Sequence, residues 1–244
     1  MSDPQLPAPG PGPGPGRAQH PSSATTPTSA AAAPYGYRPP VQVGTGLAIA
    51  AVVISGLATL MVLGNALSAI PLASEIADGV AMNEASLLAL GLYSLTAALG
   101  LVAMLVAWVV KSVWLIGARD VAHQVNPHER QRRGAAWVVL GWVVPIANFF
   151  VPFQVVGDLT RSARRGRDGA PLGWWWTTWL ATLWLYRIHG KALDAMDPGD
   201  SAGAVITLSV LLAVAVAVAF TLWVVLVRTI VTGLSDQAAT GTAR

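Results

Sequence analysis

The chain has 244 residues, of which 54% are apolar and only 11% are charged, and its formal net charge is +3. A typical soluble domain is about 45–50% apolar and about 25% charged, so the composition excludes an ordinary soluble protein. The chain has no cysteine, which excludes disulfides, thiol catalysis and cysteine-ligated metals.

The chain begins with a Pro/Gly-rich stretch over residues 1–43, which includes the run P-A-P-G-P-G-P-G-P-G. Because such a composition buries little apolar surface, we expect a disordered cytoplasmic tail. A Pro-rich recognition segment for a partner domain is the alternative. The first apolar run follows this tail and is too long for a cleavable signal sequence, so we expect it to remain as an anchor.

Apolar segments with few charges predict four membrane-spanning helices. Three of the segments contain runs of about 18 or more uncharged residues, which is the usual mark of a transmembrane helix. The remaining one is about 25 Å long as a helix and spans a bilayer if Arg187 reaches outward to the interface. The predicted spans are residues 44–70, 86–116, 172–188 and 204–227.

Individual residues refine the first two spans. Pro71 is expected to end the first span, and Asn65 inside it is expected either to face the lipid headgroups or to make an interhelical hydrogen bond. Lys111, near the end of the second span, is expected to extend its ammonium to the membrane interface. A stripe of small residues predicts close packing of the first span against another helix: Ala51, Ser55 and Thr59.

Residues 135–156 lie between the second and third spans and are apolar but interrupted by proline. Each proline removes one helical hydrogen bond, and freed carbonyls are tolerated at membrane depth only inside protein or beside water. We interpret this central segment as re-entrant or interfacial, broken near Pro145–Asn148; a kinked spanning helix is the alternative. Four of its residues share one face on any helical path: Gly141, Pro145, Asn148 and Pro152.

The distribution of positive charge predicts the orientation. If the central segment returns to the face it entered, twelve Lys and Arg residues lie inside and only Lys191 lies outside; if it crosses, the counts are seven and six. The positive-inside rule favours the first arrangement, with both termini and a short tail at residues 229–244 in the cytoplasm of a bacterium. The arginines around the central segment are candidate topology determinants or anionic-lipid contacts: Arg130, Arg132, Arg133, Arg161, Arg164, Arg165 and Arg167.

Two motifs stand out, G-W-V-V-P-I-A-N-F-F-V-P-F-Q-V-V-G-D-L and, after an arginine-rich connector, L-G-W-W-W-T-T-W-L. Together they resemble the actinobacterial membrane family catalogued as domain of unknown function 4328. The resemblance covers about residues 44–228 and implies a multi-pass membrane domain without implying an activity. The candidate structural or functional residues at the motif positions are Gly141, Trp142, Pro145, Asn148, Pro152, Trp175, Trp176 and Trp179.

The residues that could support chemistry are few. His123, His128 and Glu129 lack the second histidine one helical turn away that zinc peptidases require. The acidic run at residues 194–200 lacks the oxygen-ligand pattern of a calcium loop. We therefore predict no catalytic, metal or cofactor site.

The sequence thus predicts an all-α integral membrane protein with four spanning helices, a broken central segment and a disordered N-terminal tail. We expect a non-enzymatic scaffold, sensor or interaction protein. The alternative is a small-solute or ion transporter or channel that uses the broken segment; a membrane enzyme would rest only on His123, His128 and Glu129. The expected partners are the lipid bilayer, anionic lipids, and a second copy or another membrane protein, without nucleic acid.

Overall fold

The computed structural model describes residues 43–79, 83–165 and 171–241. These residues contain helices and no strand, so the all-α prediction is confirmed for the described part of the chain. The disordered tail predicted for residues 1–43 lies outside the described residues, apart from Val43. The helices are α1 (Thr45–Ala77), α2 (Glu84–Val125), α3 (Ala135–Leu140), α4 (Val151–Ala163), α5 (Leu172–Asp194) and α6 (Gly203–Gly241), with a 3-10 turn at Ala147–Phe149.

Among the described residues, three helices are long and apolar enough to cross a membrane: α1, α2 and α6. Large apolar side chains such as Ile49, Leu88 and Val214 are exposed on their outer surfaces, which suits contact with lipid. The fourth predicted span, α5, is not among the three. Its tryptophans, threonines and Arg187 make it less apolar than α1, α2 and α6.

Two antiparallel helical hairpins build the bundle, α1 with α2 and α5 with α6, and α6 also packs along α1. The backbone N–H of Gly199, in the α5–α6 loop, donates to the carbonyl of Ala77 at 2.9 Å. The α5–α6 loop therefore lies at the same end of the bundle as the end of α1. On α1, Ala51 and Ser55 are buried, as the small-residue stripe predicts.

The prediction that Pro71 ends the first helix is wrong, because α1 continues to Ala77. Proline removes one hydrogen bond, and the turns around it are held by burial of Ala69, Leu72 and Ala73 against neighbouring helices. Asn65 makes the interhelical hydrogen bond rather than facing the headgroups. Its side chain is buried, and its Nδ2 donates to the carbonyl of Tyr93 at 3.0 Å.

The other three long helices also extend past their predicted spans, and α5 ends at Asp194 and not at residue 188. Helix α2 starts after Asn83, whose Oδ1 accepts a hydrogen bond from the N–H of Ser86 at 2.9 Å, and it continues past the predicted end at residue 116. Helix α6 includes most of the segment predicted as a C-terminal tail. Its last turns stay helical because Ile230, Leu234 and Gln237 are buried against the rest of the bundle.

The central segment is interrupted between α3 and α4, over the stretch that contains the predicted break near Pro145–Asn148. No continuous helix joins Gly141 to Pro152, so the condition under which the four motif residues would share one face, a helical path through all of them, is not met. Pro152 lies in the first turn of α4, where its missing N–H interrupts no helical hydrogen bond. Helix α4 also extends to Ala163, so Arg161 lies on a helix and not in the predicted loop.

Both ends of the central segment lie at the same end of the bundle. Asn126, just after α2, donates from Nδ2 to the carbonyl of Ser162 at 3.2 Å and to Oε1 of Gln237 at 2.7 Å. Gln237 in turn donates to the carbonyls of Ser162 and Ala163 at 3.0 and 2.9 Å. These bonds join the ends of α2 and α4 to the last part of α6.

Candidate functional site

The ammonium group of Lys111 lies among three tryptophan rings inside the bundle. Its Nζ is 5.5 Å from the ring centroid of Trp142, 5.7 Å from that of Trp179 and 5.6 Å from that of Trp223. These distances are within the roughly 6 Å range of cation–π interactions. The three rings, which we call the tryptophan cage, come from the central segment, α5 and α6.

Lys111 lies within α2, which continues to Val125. The contact of its ammonium with the membrane interface stays a prediction. The inward direction of the side chain places the ammonium against the rings of the cage. Lys111 of α2 therefore contacts Trp142 of the central segment, in addition to the covalent connection between the two along the chain.

The charge on Lys111 is only partly compensated. A cation–π contact stabilises by about 0.5–2 kcal/mol, whereas taking an ammonium out of water costs several kcal/mol. Within the described residues the salt bridges all involve Asp158, and none involves Lys111. An ionisable side chain without a counter-ion inside a membrane-compatible bundle indicates a functional site.

Further aromatic contacts hold the cage in place. Trp223 packs edge-to-face on Trp114 with their centroids 6.0 Å apart, and it contacts Trp175 at 5.6 Å. Trp142 packs edge-to-face on Trp179 at 6.2 Å. Trp114, Trp175 and Trp223 are all buried. Because each ring is fixed by another ring, the cage is formed in advance of any ligand.

The cage borders a cavity of about 110 Å³ between α1, α2, α5 and α6. No carboxylate is among the residues that line it. The polar residues of its lining are Lys111, Ser55, Thr59, Thr182 and Tyr186, and four tryptophans also line it. Its apolar lining includes Ala58, Val62, Met104, Ala107, Leu183, Val216, Ala219 and Phe220.

Two of the tryptophans that line the cavity have an indole N–H without a hydrogen-bond partner within the described residues. These are Trp179 and Trp223, whose Nε1 atoms are buried. The hydroxyls of Ser55 and Thr182, in contrast, donate to the carbonyls of Ala51 and Thr178 one turn earlier in their helices. The lining therefore includes a cation and no carboxylate.

The structure brings three of the eight motif residues to this cavity: Trp142, Trp175 and Trp179. Trp176 lies next to them but faces α4, where its ring packs on Phe153 with centroids 6.2 Å apart. The two sequence motifs therefore meet in space, because the central segment and α5 pack around the same cavity.

The other four motif residues shape the central segment and do not line the cavity. Gly141 lets the segment fold back on itself, because a Cβ there would come within 2.5 Å of Cγ1 of Val151. Pro145 lies exposed in the turn, and Pro152 is buried in the first turn of α4. Asn148 has a buried Oδ1 without a hydrogen-bond partner in the described part of the chain.

Sequence reasoning missed two residues of the site, Lys111 and Trp223. Lys111 is a single cation followed by further apolar residues, and an ionisable residue inside a predicted span is by itself a reason to expect a site. Trp223 gives no comparable signal, because a tryptophan near the end of an apolar helix is typical of the membrane interface.

Two of the candidate arginines form a clamp around a buried carboxylate. Asp158 on α4 is 5% exposed, and its Oδ2 accepts a hydrogen bond from the backbone N–H of Arg132 at 2.9 Å. Its Oδ1 is 3.5 Å from Nε of Arg132 and 3.2 Å from Nη1 of Arg161. The clamp attaches the connector after α2 to α4.

The remaining candidate arginines are distributed over the same end of the bundle. Arg133 donates to Oε1 of Gln154 at 2.8 Å and stacks over Trp137 at 6.0 Å. Arg164 and Arg165 border a surface pocket beside Gln237, while Arg130 borders a separate polar pocket. Arg167 lies outside the described residues.

The polar pocket beside Arg130 also includes the histidines considered for chemistry, His123 and His128, together with Glu129. In the part of the chain that the structure describes, no three His, Asp or Glu side chains are grouped closely enough to hold a metal ion. In the acidic run at 194–200, the carboxylate of Asp200 accepts a hydrogen bond from the backbone N–H of Asp197 at 2.9 Å. This contact organises the loop itself.

Comparison with known proteins identifies the chain at the level of its family. The family model described as "Domain of unknown function (DUF4328)" matches residues 78–232, which is more than half of the chain and includes Lys111, all three rings of the cage and Asp158. No curated protein and no solved structure matches the chain significantly. The chain therefore belongs to the family of domain of unknown function DUF4328.

Proposed function

We propose that the protein is a non-enzymatic sensor in the plasma membrane of an actinobacterium, with four spanning helices and both termini in the cytoplasm. The observation that carries the proposal is the position of Trp142. It belongs to the central segment, and it forms one wall of the cage inside the bundle. A change in the occupancy of the cavity would therefore act directly on the segment that continues into the arginine-rich surface.

The orientation rests on contacts as well as on charge. Asn126, at the end of α2, is hydrogen-bonded to the carbonyl of Ser162 at the end of α4, which favours a segment that leaves on the side where it enters. The same end of the bundle includes the arginine clamp around Asp158, as the positive-inside rule requires of a cytoplasmic face.

Helix α5 serves as the fourth span in this proposal. Its 23 residues measure about 34 Å, enough for a hydrocarbon core of about 30 Å. It pairs with α6, and its side chains Trp174, Trp184 and Ile188 are exposed on the outer surface. Trp174, close to the start of the helix, suits the membrane interface.

The turn of the central segment has the character of a membrane-inserted element. The apolar side chains of Val143, Ile146 and Phe150 are exposed there, and Ile146 is 79% exposed. Exposed apolar groups of this size are unfavourable in water but suit the acyl region of a bilayer. Their insertion would hold the segment against the membrane from the cytoplasmic side.

Cysteine accessibility tests the arrangement, and the native chain contains no cysteine to interfere. Arg165→Cys places an exposed thiol after the central segment, and Ser201→Cys places one in the α5–α6 loop. On intact cells, an impermeant thiol reagent is expected to label the Ser201→Cys protein and not the Arg165→Cys protein. Permeabilised cells provide the control, since both proteins should then react.

The opposite pattern, with labelling at position 165 and protection at position 201, would mean that the central segment crosses the membrane. The proposal would then fail, because Trp142 would belong to an ordinary spanning helix and not to a segment exposed on one side.

A small-solute or ion transporter is the second candidate, because the buried Oδ1 of Asn148 has no partner within the described residues and the segment is broken beside it. If the protein is a sensor, we expect reconstituted vesicles to show no protein-dependent flux of monovalent cations, halides or small carboxylates. Protein-dependent flux that is lost in an Asn148→Ala variant but kept in an Asn126→Ala variant would favour the transporter and contradict the sensor.

A further inference from the structure

The lysine in the cavity lacks the counter-ion that its position requires. Lys111 lies among three aromatic rings, makes no salt bridge with any described residue, and borders a cavity whose lining includes no carboxylate. An unpaired ammonium in such surroundings is stabilised by an anion, because the interaction between charges is strong where water is scarce.

The tryptophan cage defines where an anion would bind. The Nζ of Lys111 lies 5.5, 5.7 and 5.6 Å from the ring centres of Trp142, Trp179 and Trp223, and these three residues line the cavity together with Lys111. An ammonium carries three N–H donors, and Lys111 has no salt-bridge partner among the described residues. An oxygen-bearing anion in the cavity would provide acceptors for these donors.

The rest of the cavity is apolar. Val62, Met104, Val216 and Phe220 line it together with small alanines, which suits a hydrocarbon body and not a second polar group. The volume of about 110 Å³ accommodates a carboxylate and a short part of a single chain, and not a group as large as two acyl chains. The partly open cavity leaves room for the remainder of the chain to extend between the helices.

We infer that the cavity binds a single-chain amphiphilic carboxylic acid, with its carboxylate at Lys111 and its hydrocarbon chain among the apolar side chains. This inference deepens the proposed function, since it names the class of molecule that the sensor would detect. The carboxylate accepts hydrogen bonds from the ammonium, while the tryptophan rings exclude water from the ion pair.

The test uses the full-length protein in nanodiscs of zwitterionic lipid, with octanoate as the probe and empty nanodiscs as the blank for partitioning. Octanol and octylamine have the same chain with a neutral or a positive head. Calorimetric titration is expected to show octanoate binding at least about tenfold more tightly than octanol, and no saturable binding of octylamine, because the head interacts with a cation.

Substitution of the two lysines of the chain provides matched variants. Lys111→Met keeps an unbranched side chain that is only one heavy atom shorter and removes the charge, and it is expected to weaken octanoate binding at least about tenfold while leaving octanol binding unchanged. Lys191→Met changes the other lysine, which is exposed in the last turn of α5, and is expected to leave octanoate affinity unchanged.

Several outcomes would overturn the inference. These are the absence of saturable octanoate binding, octanol binding as tightly as octanoate, and an unchanged octanoate affinity in Lys111→Met. If Lys111→Met does not fold, the comparison of the three probes on the unmodified protein still decides the matter. If octanoate does not bind, the conclusion from the cysteine-accessibility experiment is unaffected, because binding in nanodiscs does not depend on how the protein is oriented in cells.

Discussion

Replacing Gly233 with alanine is expected to destabilise the protein by about 3 kcal/mol, as overpacking against rigid groups commonly does. Helix α6 passes so close to the end of α4 that a Cβ on Gly233 would overlap the carbonyl oxygen of Ala163 and approach its Cβ to 3.0 Å. The obstacle is backbone, so rotation of a side chain cannot relieve it. The two helices would have to separate.

Separation at Gly233 would also break the hydrogen bonds of Gln237. Its Nε2 donates to the carbonyls of Ser162 and Ala163, which lie in the last turn of α4. Thermal unfolding of the purified protein in detergent, followed by circular dichroism, measures the loss of stability.

Gly117→Ala is the matched control for Gly233→Ala, because Gly117 is also inside a long helix but has nothing within 4 Å of an added Cβ. Alanine is expected to be neutral there or to stabilise by up to about 1 kcal/mol through its higher helix propensity. Equal unfolding temperatures for the two variants would contradict the close approach of α4 and α6.

The second large effect is expected at Asp158, where Asp158→Asn should cost about 2 kcal/mol. The buried carboxylate accepts hydrogen bonds from the backbone N–H of Arg132 and from the guanidinium of Arg161, and it forms an ion pair with the guanidinium of Arg132. Hydrogen bonds to a charged group are worth roughly 1.5–3 kcal/mol, and the amide would present N–H donors to other donors. Both arginines are partly exposed, so they regain water and the cost remains moderate.

Release of the clamp should free the connector after α2, and limited trypsin digestion should then cut faster at Arg130, Arg132 and Arg133. Asp120→Asn is the control, since Asp120 is exposed on α2 and its replacement is expected to change stability by less than about 0.5 kcal/mol. If Asp158→Asn has the same unfolding temperature and the same cleavage rate as the control, the clamp contributes nothing to the stability of the protein.

The positions of the membrane-compatible helices could be predicted from the distribution of charged residues alone. Long runs without Asp, Glu, Lys or Arg can be helical inside a bilayer, and three of the helices seen in the described residues have this composition. The interruption of the central segment followed from Pro145, because proline both lacks the N–H and restricts the residue before it.

The residues at which the helices end could not be predicted from the local sequence. Pro71 is a strong stop signal in isolation, yet α1 passes through it because Leu72 and Ala73 are buried on the following turn. The last part of α6 reads as a polar tail, yet it is helical because Gln237 finds three carbonyl acceptors on two helices. In both cases long-range packing outweighs local preference.

The family resemblance, the all-helical class and the membrane-compatible segments were determined by the sequence itself, because they depend on composition and on motifs that are continuous along the chain. The lysine site was decided only by the tertiary structure. Lys111, Trp142, Trp179 and Trp223 come from four separate segments, and their meeting depends on how the helices pack. The sequence of α2 alone places Lys111 at the membrane interface, whereas the packing of the other helices surrounds it with three rings and a cavity.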